Sequence, residues 1–211
     1  MERMVPGLAP EHIYRDHVER YLWAASKVAP GSSVLDYFCG TGYGSHLLAS
    51  SAGCVVGFDR EVVGGGTVCG VTFGAHALSE AYDYAVFFEG VEHVEDAGNR
   101  LRDLAAMAHR LFISTPNRNI SSPDGTVNNP YHVKEYDVFE LRALLSECGW
   151  VVDGMYGQRW QLVPKSRLVR KAYKRLFRPW ERTSAKVVGW SDLLYPDFQP
   201  EYLVLTAARR D

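Results

Sequence analysis

Residues 33 to 45 read Ser-Val-Leu-Asp-Tyr-Phe-Cys-Gly-Thr-Gly-Tyr-Gly-Ser, a short apolar run followed directly by glycine at every second position. A run of this length without polar alternation predicts a strand buried on both faces, Ser33 to Phe38. Gly40, Gly42 and Gly44 then predict a tight turn whose backbone can pass close to a bound ligand. His46 to Ala49 continue as a helix closed near Gly53, and unpaired N–H groups at a helix start favour a carboxylate or phosphate. Cys54 to Phe58 is a second apolar strand ending in Asp59, whose carboxylate is suited to accept hydrogen bonds from two ribose hydroxyls. Strand, helix and strand in so few residues imply a parallel sheet with helices on its faces.

The same alternation extends in both directions. Upstream, Ile13, Val18, Tyr21, Leu22, Ala25 and Val28 recur near helical spacing, predicting an amphipathic helix from Glu11 to Val28, before Pro30 and Gly31. Downstream, Arg60 to Gly70 carries Gly64, Gly65 and Gly66 in succession, which opposes a helix and predicts an irregular stretch. Val71 to Phe73 is a short strand and Tyr82 to Phe88 a buried one. Gly98 to His109 reads as a helix, and Leu111 to Ser114 as a strand stopped at Pro116. Asp137 caps a helix running to Cys148 and Gly149, Trp150 to Tyr156 is a strand, and Glu201 to Ala207 is the last.

The chain has 211 residues, 46% of them hydrophobic, and a formal net charge of −2. That is enough to bury a core and predicts one domain over 1–211. The small net charge gives no global attraction to nucleic acid or anionic membranes. Charge is nevertheless segregated: from Arg159 to Lys186 ten basic residues face one acid, Glu181. This marks an insertion at about 159–200 with a basic helix from Pro164 to Arg178. It reads either as a solvated cap or as a lid or docking face for an anionic substrate such as a phosphate-bearing lipid, nucleotide sugar or RNA end; RNA binding would fall to Arg167, Arg170 and Lys174. Cys39, Cys54, Cys69 and Cys148 have neither disulfide-framework nor metal-like spacing and read as packed thiols of a reducing compartment. No apolar run approaches the roughly 20 residues of a membrane span, and no signal-peptide pattern opens the chain. The expectation is a cytoplasmic protein with no transmembrane segment.

Glu89, Glu92 and His93 follow a strand end, where open α/β sheets place active groups, and His132 lies beyond the next strand. Two carboxylates and two imidazoles form a mixed oxygen and nitrogen set suited to Mg²⁺, Mn²⁺ or a similar ion, with positions left open for substrate. Alternatively Glu92 caps the next helix, while His93 packs or acts as a base.

The glycine turn and Asp59 alone fit a nicotinamide enzyme as well as a methyltransferase. Val34-Leu35-Asp36 through Cys39-Gly40-Thr41-Gly42-Tyr43-Gly44-Ser45 resembles motif I of class I S-adenosylmethionine-dependent methyltransferases. Arg20-Tyr21-Leu22-Trp23-Ala24, Glu89-Gly90-Val91-Glu92-His93-Val94, Ser114-Thr115-Pro116-Asn117 and Asn129-Pro130-Tyr131-His132-Val133 extend the resemblance over residues 11 to 157. It is similar to ubiquinone-pathway O-methyltransferases and to enzymes that methylate the 3′-terminal ribose of small RNAs. The resemblance implies a Rossmann-like α/β fold: a seven-stranded, mostly parallel sheet with an antiparallel strand and a reduced helix after strand two. It also implies S-adenosylmethionine as cofactor, with Asp36, Gly40, Thr41, Gly42 and Tyr43 around the methionine and Asp59 on the ribose. Phe88 and Glu89 complete the wall. Glu89, Glu92, His93 and His132 then hold a divalent ion, with His93, His132 and Glu92 as the catalytic groups. One departure stands out: Gly74-Ala75-His76 occupies the place of the usual strand-three acid that holds adenine.

The leading expectation is an O-methyltransferase acting on a hydroxyl of a sugar, glycolipid or small polyol or phenol. Its rivals are methylation of an RNA 3′-terminal ribose and a non-catalytic module that keeps the fold. A nicotinamide-linked oxidoreductase is a distant third.

Overall fold

The computed structural model describes residues 5–59, 66–68, 70–74, 81–163, 185–190 and 198–211. Helix α1, Glu11–Ala25, starts after Pro10 and buries Arg20, Tyr21 and Ala24 on one face. It stops short of Val28 because the Ser26 hydroxyl donates to the Trp23 carbonyl at 2.6 Å and Lys27 N–H bonds Ala24 O, tightening the last turn. Strand β1, Ser33–Tyr37, is followed by α2, Tyr43–Leu48, and β2, Cys54–Phe58. Strands β3, Gly66–Val68, and β4, Val71–Phe73, form an edge hairpin. Strand β5, Tyr82–Phe88, precedes α3, Ala97–Met107, and β6, Ala108–Pro116. After the short α4, Arg118–Ser121, Asp137 caps α5, Val138–Glu147, in a reciprocal arrangement with Glu140. Strands β7, Trp150–Leu162, β8, Val188–Gly189, and β9, Phe198–Arg209, complete the elements.

All the strands join one sheet in the order β3-β4-β2-β1-β5-β6-β9-β7-β8. Strands β1, β2, β4, β5 and β6 are parallel, while β9 inserts antiparallel between β6 and β7. The seven expected strands are all present. The described residues add two more, because β3 folds antiparallel onto β4 and β8 pairs with the outer edge of β7. Edge pieces of two or three residues carry no hydrophobic period, so the sequence gives no sign of them. Strand β3 also lies inside the stretch expected to be irregular, of which 60–65 and 69 fall outside the described residues.

Neighbouring β1 side chains take opposite faces. Val34 joins Tyr21, Leu48, Val55 and Phe112 beneath α1 and α2, whereas Leu35 joins Phe87, Leu101, Leu104, Leu141 and Trp150 beneath α3 and α5. Burial on both faces is why the β1 run shows no polar alternation.

Other boundaries differ from expectation. Strand β6 begins at Ala108, so His109 belongs to the strand. Strands β7 and β9 run to Leu162 and back to Phe198, extending as one antiparallel ribbon. Arg159, grouped by its charge with the basic insertion, therefore lies in β7. It is buried there, ion-paired with buried Asp16 of α1. The expected basic helix, Pro164 to Arg178, lies outside the described residues. Cys39, Cys54 and Cys148 are free thiols. No helix among the described residues is long and apolar enough to cross a membrane.

Candidate functional site

The parallel strands β1, β2, β5 and β6 end on one side of the sheet, and there a cavity of about 550 Å³ opens. This lies within the roughly 300–1,000 Å³ of small-molecule sites. Gly40, Tyr43, Asp59 and Phe88 line it, together with Glu89, Glu92, His93 and His132. It thus gathers eight of the eleven residues expected at the site, from four separate segments.

At the glycine-turn end, Phe38 and Cys39 N–H donate to the Phe58 carbonyl at 2.7 and 3.0 Å. Gly40 N–H donates to Asp59 Oδ2 at 3.0 Å, so the turn is fastened to the end of β2. The three glycines do different work. Gly40, with φ +58, would meet no protein atom within 4 Å if given a Cβ, and the space beside it is the cavity. Gly42, with φ +80, would drive a Cβ to 2.7 Å from the Phe73 ring, and Gly44 would reach 2.2 Å from the Tyr21 ring. These last two serve packing. Thr41 is exposed on the turn, and neither it nor Gly42 lines the cavity.

Asp36 sits deeper than expected. It is fully buried and does not line the cavity; its carboxylate accepts from Ser45 Oγ at 2.6 Å and Tyr21 OH at 3.1 Å. It therefore ties α2 and α1 to β1 and reaches the cavity only through Tyr21, which lines it. Burial pushes its pKa up to about 6 against the opposing pull of the two hydroxyls. Helix α2 has only six residues, so the glycine turn and Asp59, rather than the helix dipole, define this end.

The opposite end is assembled from distant segments. Glu89 adopts φ +49, uncommon outside glycine. Its Oε1 accepts from Arg20 Nη1 at 2.5 Å and Ser114 Oγ at 2.8 Å. Arg20 is fully buried and lies 4.6 Å from the centre of the Tyr202 ring. Glu89 lines the cavity but is not part of the group in which the other three expected ligands converge.

Glu92, His93 and His132 do converge, with one ligand atom of each within 4.8 Å of the others. Glu92 is buried; its Oε2 accepts from Thr115 Oγ1 at 3.0 Å, while Oε1 has no hydrogen-bond partner among the described residues. Burial, reinforced by the nearby Glu89 charge, pushes its pKa well up. His93 Nδ1 lies 2.9 Å from the Tyr131 carbonyl, which can only accept, so Nδ1 carries a proton and Nε2 is the nitrogen left for a ligand. An orphaned carboxylate oxygen beside imidazole nitrogens is a donor set that fits a divalent ion. His17, also lining the cavity, is kept neutral by burial and by the Arg20 charge.

Sequence reasoning assigned no role to Arg20, Tyr202, Asn129 or Glu135, although Arg20 and Asn129 fall inside quoted motifs. Glu135 follows His132 at a spacing of three, a signal that was available; the pairing of Arg20 with Glu89 leaves none, since nothing local links them.

A sequence model described as a methyltransferase domain matches residues 10–153. Over 174 residues the chain is 32% identical to a protein of Mycolicibacterium smegmatis named "Probable S-adenosylmethionine-dependent methyltransferase", covering 74% of this chain and 66% of that one. A like-named protein of Mycobacterium tuberculosis is 31% identical over 171 residues, with 74% and 62% covered. The chain thus spans slightly less than two thirds of these relatives. Among solved structures, the magnesium protoporphyrin IX methyltransferase of Synechocystis PCC 6803 with bound SAH has a TM-score of 0.57 at 17% identity, covering 99% of this chain and 90% of that one. That likeness concerns the fold. With the family match spanning the glycine turn and the residues from Asp59 to His132, the chain belongs to the methyltransferase-domain family and carries the class I fold.

Proposed function

We propose that the protein is an S-adenosylmethionine-dependent O-methyltransferase acting on a hydroxyl of a sugar, glycolipid or small polyol or phenol, with a divalent ion assisting. The observation that carries the reading is the single cavity, with Gly40 and Asp59 at one end and Glu92, His93 and His132 at the other. Family membership and the names of the relatives support the cofactor.

S-adenosylmethionine, when bound, supplies an electrophilic sulfonium methyl. Asp59 accepts from the ribose hydroxyls, and the space beside Gly40 admits the ligand backbone. Tyr21, Tyr43 and Phe88 wall the site and exclude water, which strengthens every electrostatic contact inside. Glu92, His93 and His132 would hold a divalent ion, which when bound would act as a Lewis acid and lower the pKa of the acceptor hydroxyl. The cavity fixes acceptor and methyl donor in one orientation, and positioning of this kind supplies much of a transferase's rate.

The test is incubation with labelled S-adenosylmethionine and a panel of hydroxyl substrates, with and without EDTA. Transfer to a hydroxyl that EDTA abolishes and Mn²⁺ restores is the expected result. Transfer indifferent to EDTA removes the ion from the reading, and absence of cofactor binding by calorimetry removes the whole.

A further inference from the structure

The sequence pattern nominates four ion ligands, two carboxylates and two imidazoles, but the hydrogen bonds around them separate the four into different classes. Building on the metal-assisted reading above, we propose that the ion site is a three-donor set, Glu92 Oε1, His93 Nε2 and His132 Nε2, in which Glu135 is the positioning residue for His132 and Arg20 withholds Glu89.

The case for His132 follows from one amide. Asn129 Oδ1 accepts from Tyr131 N–H at 3.0 Å, which fixes the amide so that Nδ2 is the atom lying 3.0 Å from His132 Nε2. An amide NH₂ only donates, so His132 Nε2 must carry a lone pair and the ring proton must sit on Nδ1. Nδ1 lies 2.7 Å from Glu135 Oε1 and donates to it. Glu135 is itself fixed: it is 3% exposed, and its other oxygen accepts from Ser121 Oγ at 2.5 Å. Both imidazoles are therefore anchored alike, with Nδ1–H on an acceptor and Nε2 left as the ligand nitrogen; His93 Nε2 lies 3.9 Å from Glu92 Oε1, and one ligand atom of each of the three residues lies within 4.8 Å of the others. This is the outer arrangement that metal-binding histidines require, because the anchored proton fixes tautomer and ring orientation. Asn129 Nδ2 covers the His132 lone pair and must yield it when an ion enters. Glu92 is held by Thr115 through one oxygen only, which leaves Oε1 as the donor.

Glu89 is disposed differently. Its Oε1 is taken by Arg20 and Ser114, and the fully buried guanidinium neutralises its charge at 2.5 Å. Drawing Glu89 into an ion's coordination shell would leave Arg20 charged and unpaired in the interior, which is strongly unfavourable. Glu89 therefore belongs to the Arg20 pair.

The experiment is a titration of the purified full chain with Mn²⁺, followed by electron paramagnetic resonance of the free ion and by calorimetry, without cofactor or substrate. Glu135→Gln keeps the side chain's size but replaces the charged acceptor, and is expected to weaken Mn²⁺ binding about 10- to 100-fold, the usual consequence of losing such an outer partner. Ser121→Ala, which loosens Glu135 without touching it, is expected to lower affinity less and serves if Glu135→Gln fails to fold. Removing the buried pair together, as Arg20→Met with Glu89→Gln, is expected to leave Mn²⁺ affinity unchanged. Equal binding by wild type and both the Glu135→Gln and Ser121→Ala variants would overturn the assignment of Glu135. Loss of binding in the folded double variant would overturn the exclusion of Glu89. If the wild-type chain binds no Mn²⁺, the metal-assisted reading falls with this inference, while cofactor binding tests methyl transfer separately.

Discussion

The two ends of the cavity are made in different ways. Most of the glycine-turn end lies between Asp36 and Asp59, and its key contacts are between backbone and near neighbours: Phe38 and Cys39 on Phe58, Gly40 on Asp59, Asp36 on Ser45. The opposite end draws on Arg20, Glu89 to His93, Ser114, Thr115, Asn129 to Glu135 and Tyr202, with side chains meeting across 69 residues in the case of Arg20 and Glu89. A locally built end can be read as a motif. An end assembled from distant segments can be read only as a set of candidates, because burial and pairing decide which candidate keeps a free lone pair.

The sharpest way to separate structural from ligand-facing groups at the local end is Asp36→Asn. The folded pKa of Asp36 is raised from 3.8 to about 6, so its contribution to stability is full below the unfolded value and is lost as pH rises through the folded one. Relative to the wild type, the Asn variant should gain about 2 kcal/mol between pH 4 and pH 7. Denaturant unfolding at several pH values measures this, and parallel curves for the two proteins would show that Asp36 is not the buried pin described above.

Asp59→Ala comes next and should act on the ligand. Hydrogen bonds to a charged acceptor contribute about 1.5–3 kcal/mol, so affinity for S-adenosylmethionine should drop about 10- to 150-fold by calorimetry. Undiminished affinity would break the correspondence between this end and the cofactor.

The glycines sharpen the comparison further. Gly44→Ala places a methyl against the Tyr21 ring and should destabilise the fold by about 1–3 kcal/mol. A second change, Tyr21→Leu, should recover part of that loss if the collision is its cause. Gly40→Ala meets no protein atom and carries only the backbone cost of a positive φ, about 1–2 kcal/mol. Its larger effect should be on cofactor affinity. If the two variants lose stability and affinity in the same proportion, the division of labour between these glycines is mistaken.

Much of the fold was legible because its signals are local. The unalternating Val34-Leu35 run, the glycines behind it and the second strand ending at Asp59 all act within a few residues, and each element formed where its pattern placed it. What escaped was set by partners elsewhere. Arg159 reads by charge as part of a basic surface, but it pairs with Asp16 in the interior. Strands β7 and β9 lengthened because each supplies the other's hydrogen bonds, which neither sequence states alone. At the site, Asp59, Glu92, His93 and His132 were named from sequence and share the cavity. Asp36 was also named, yet it faces inward, because Tyr21 and Ser45 supply the hydrogen bonds that make its burial tolerable.

Sequence by itself determined the parallel α/β architecture and the side of the sheet on which a ligand site must open, since period, glycine spacing and strand ends are properties of contiguous residues. Only the tertiary structure decided which cavity carboxylates keep an oxygen for a ligand and which are spent on a partner inside the protein. Glu89 and Glu92 stand three residues apart with the same side chain, but a buried guanidinium reaches one, while the other keeps an oxygen with no hydrogen-bond partner among the described residues. That difference lies in folded distances, and no local pattern encodes it.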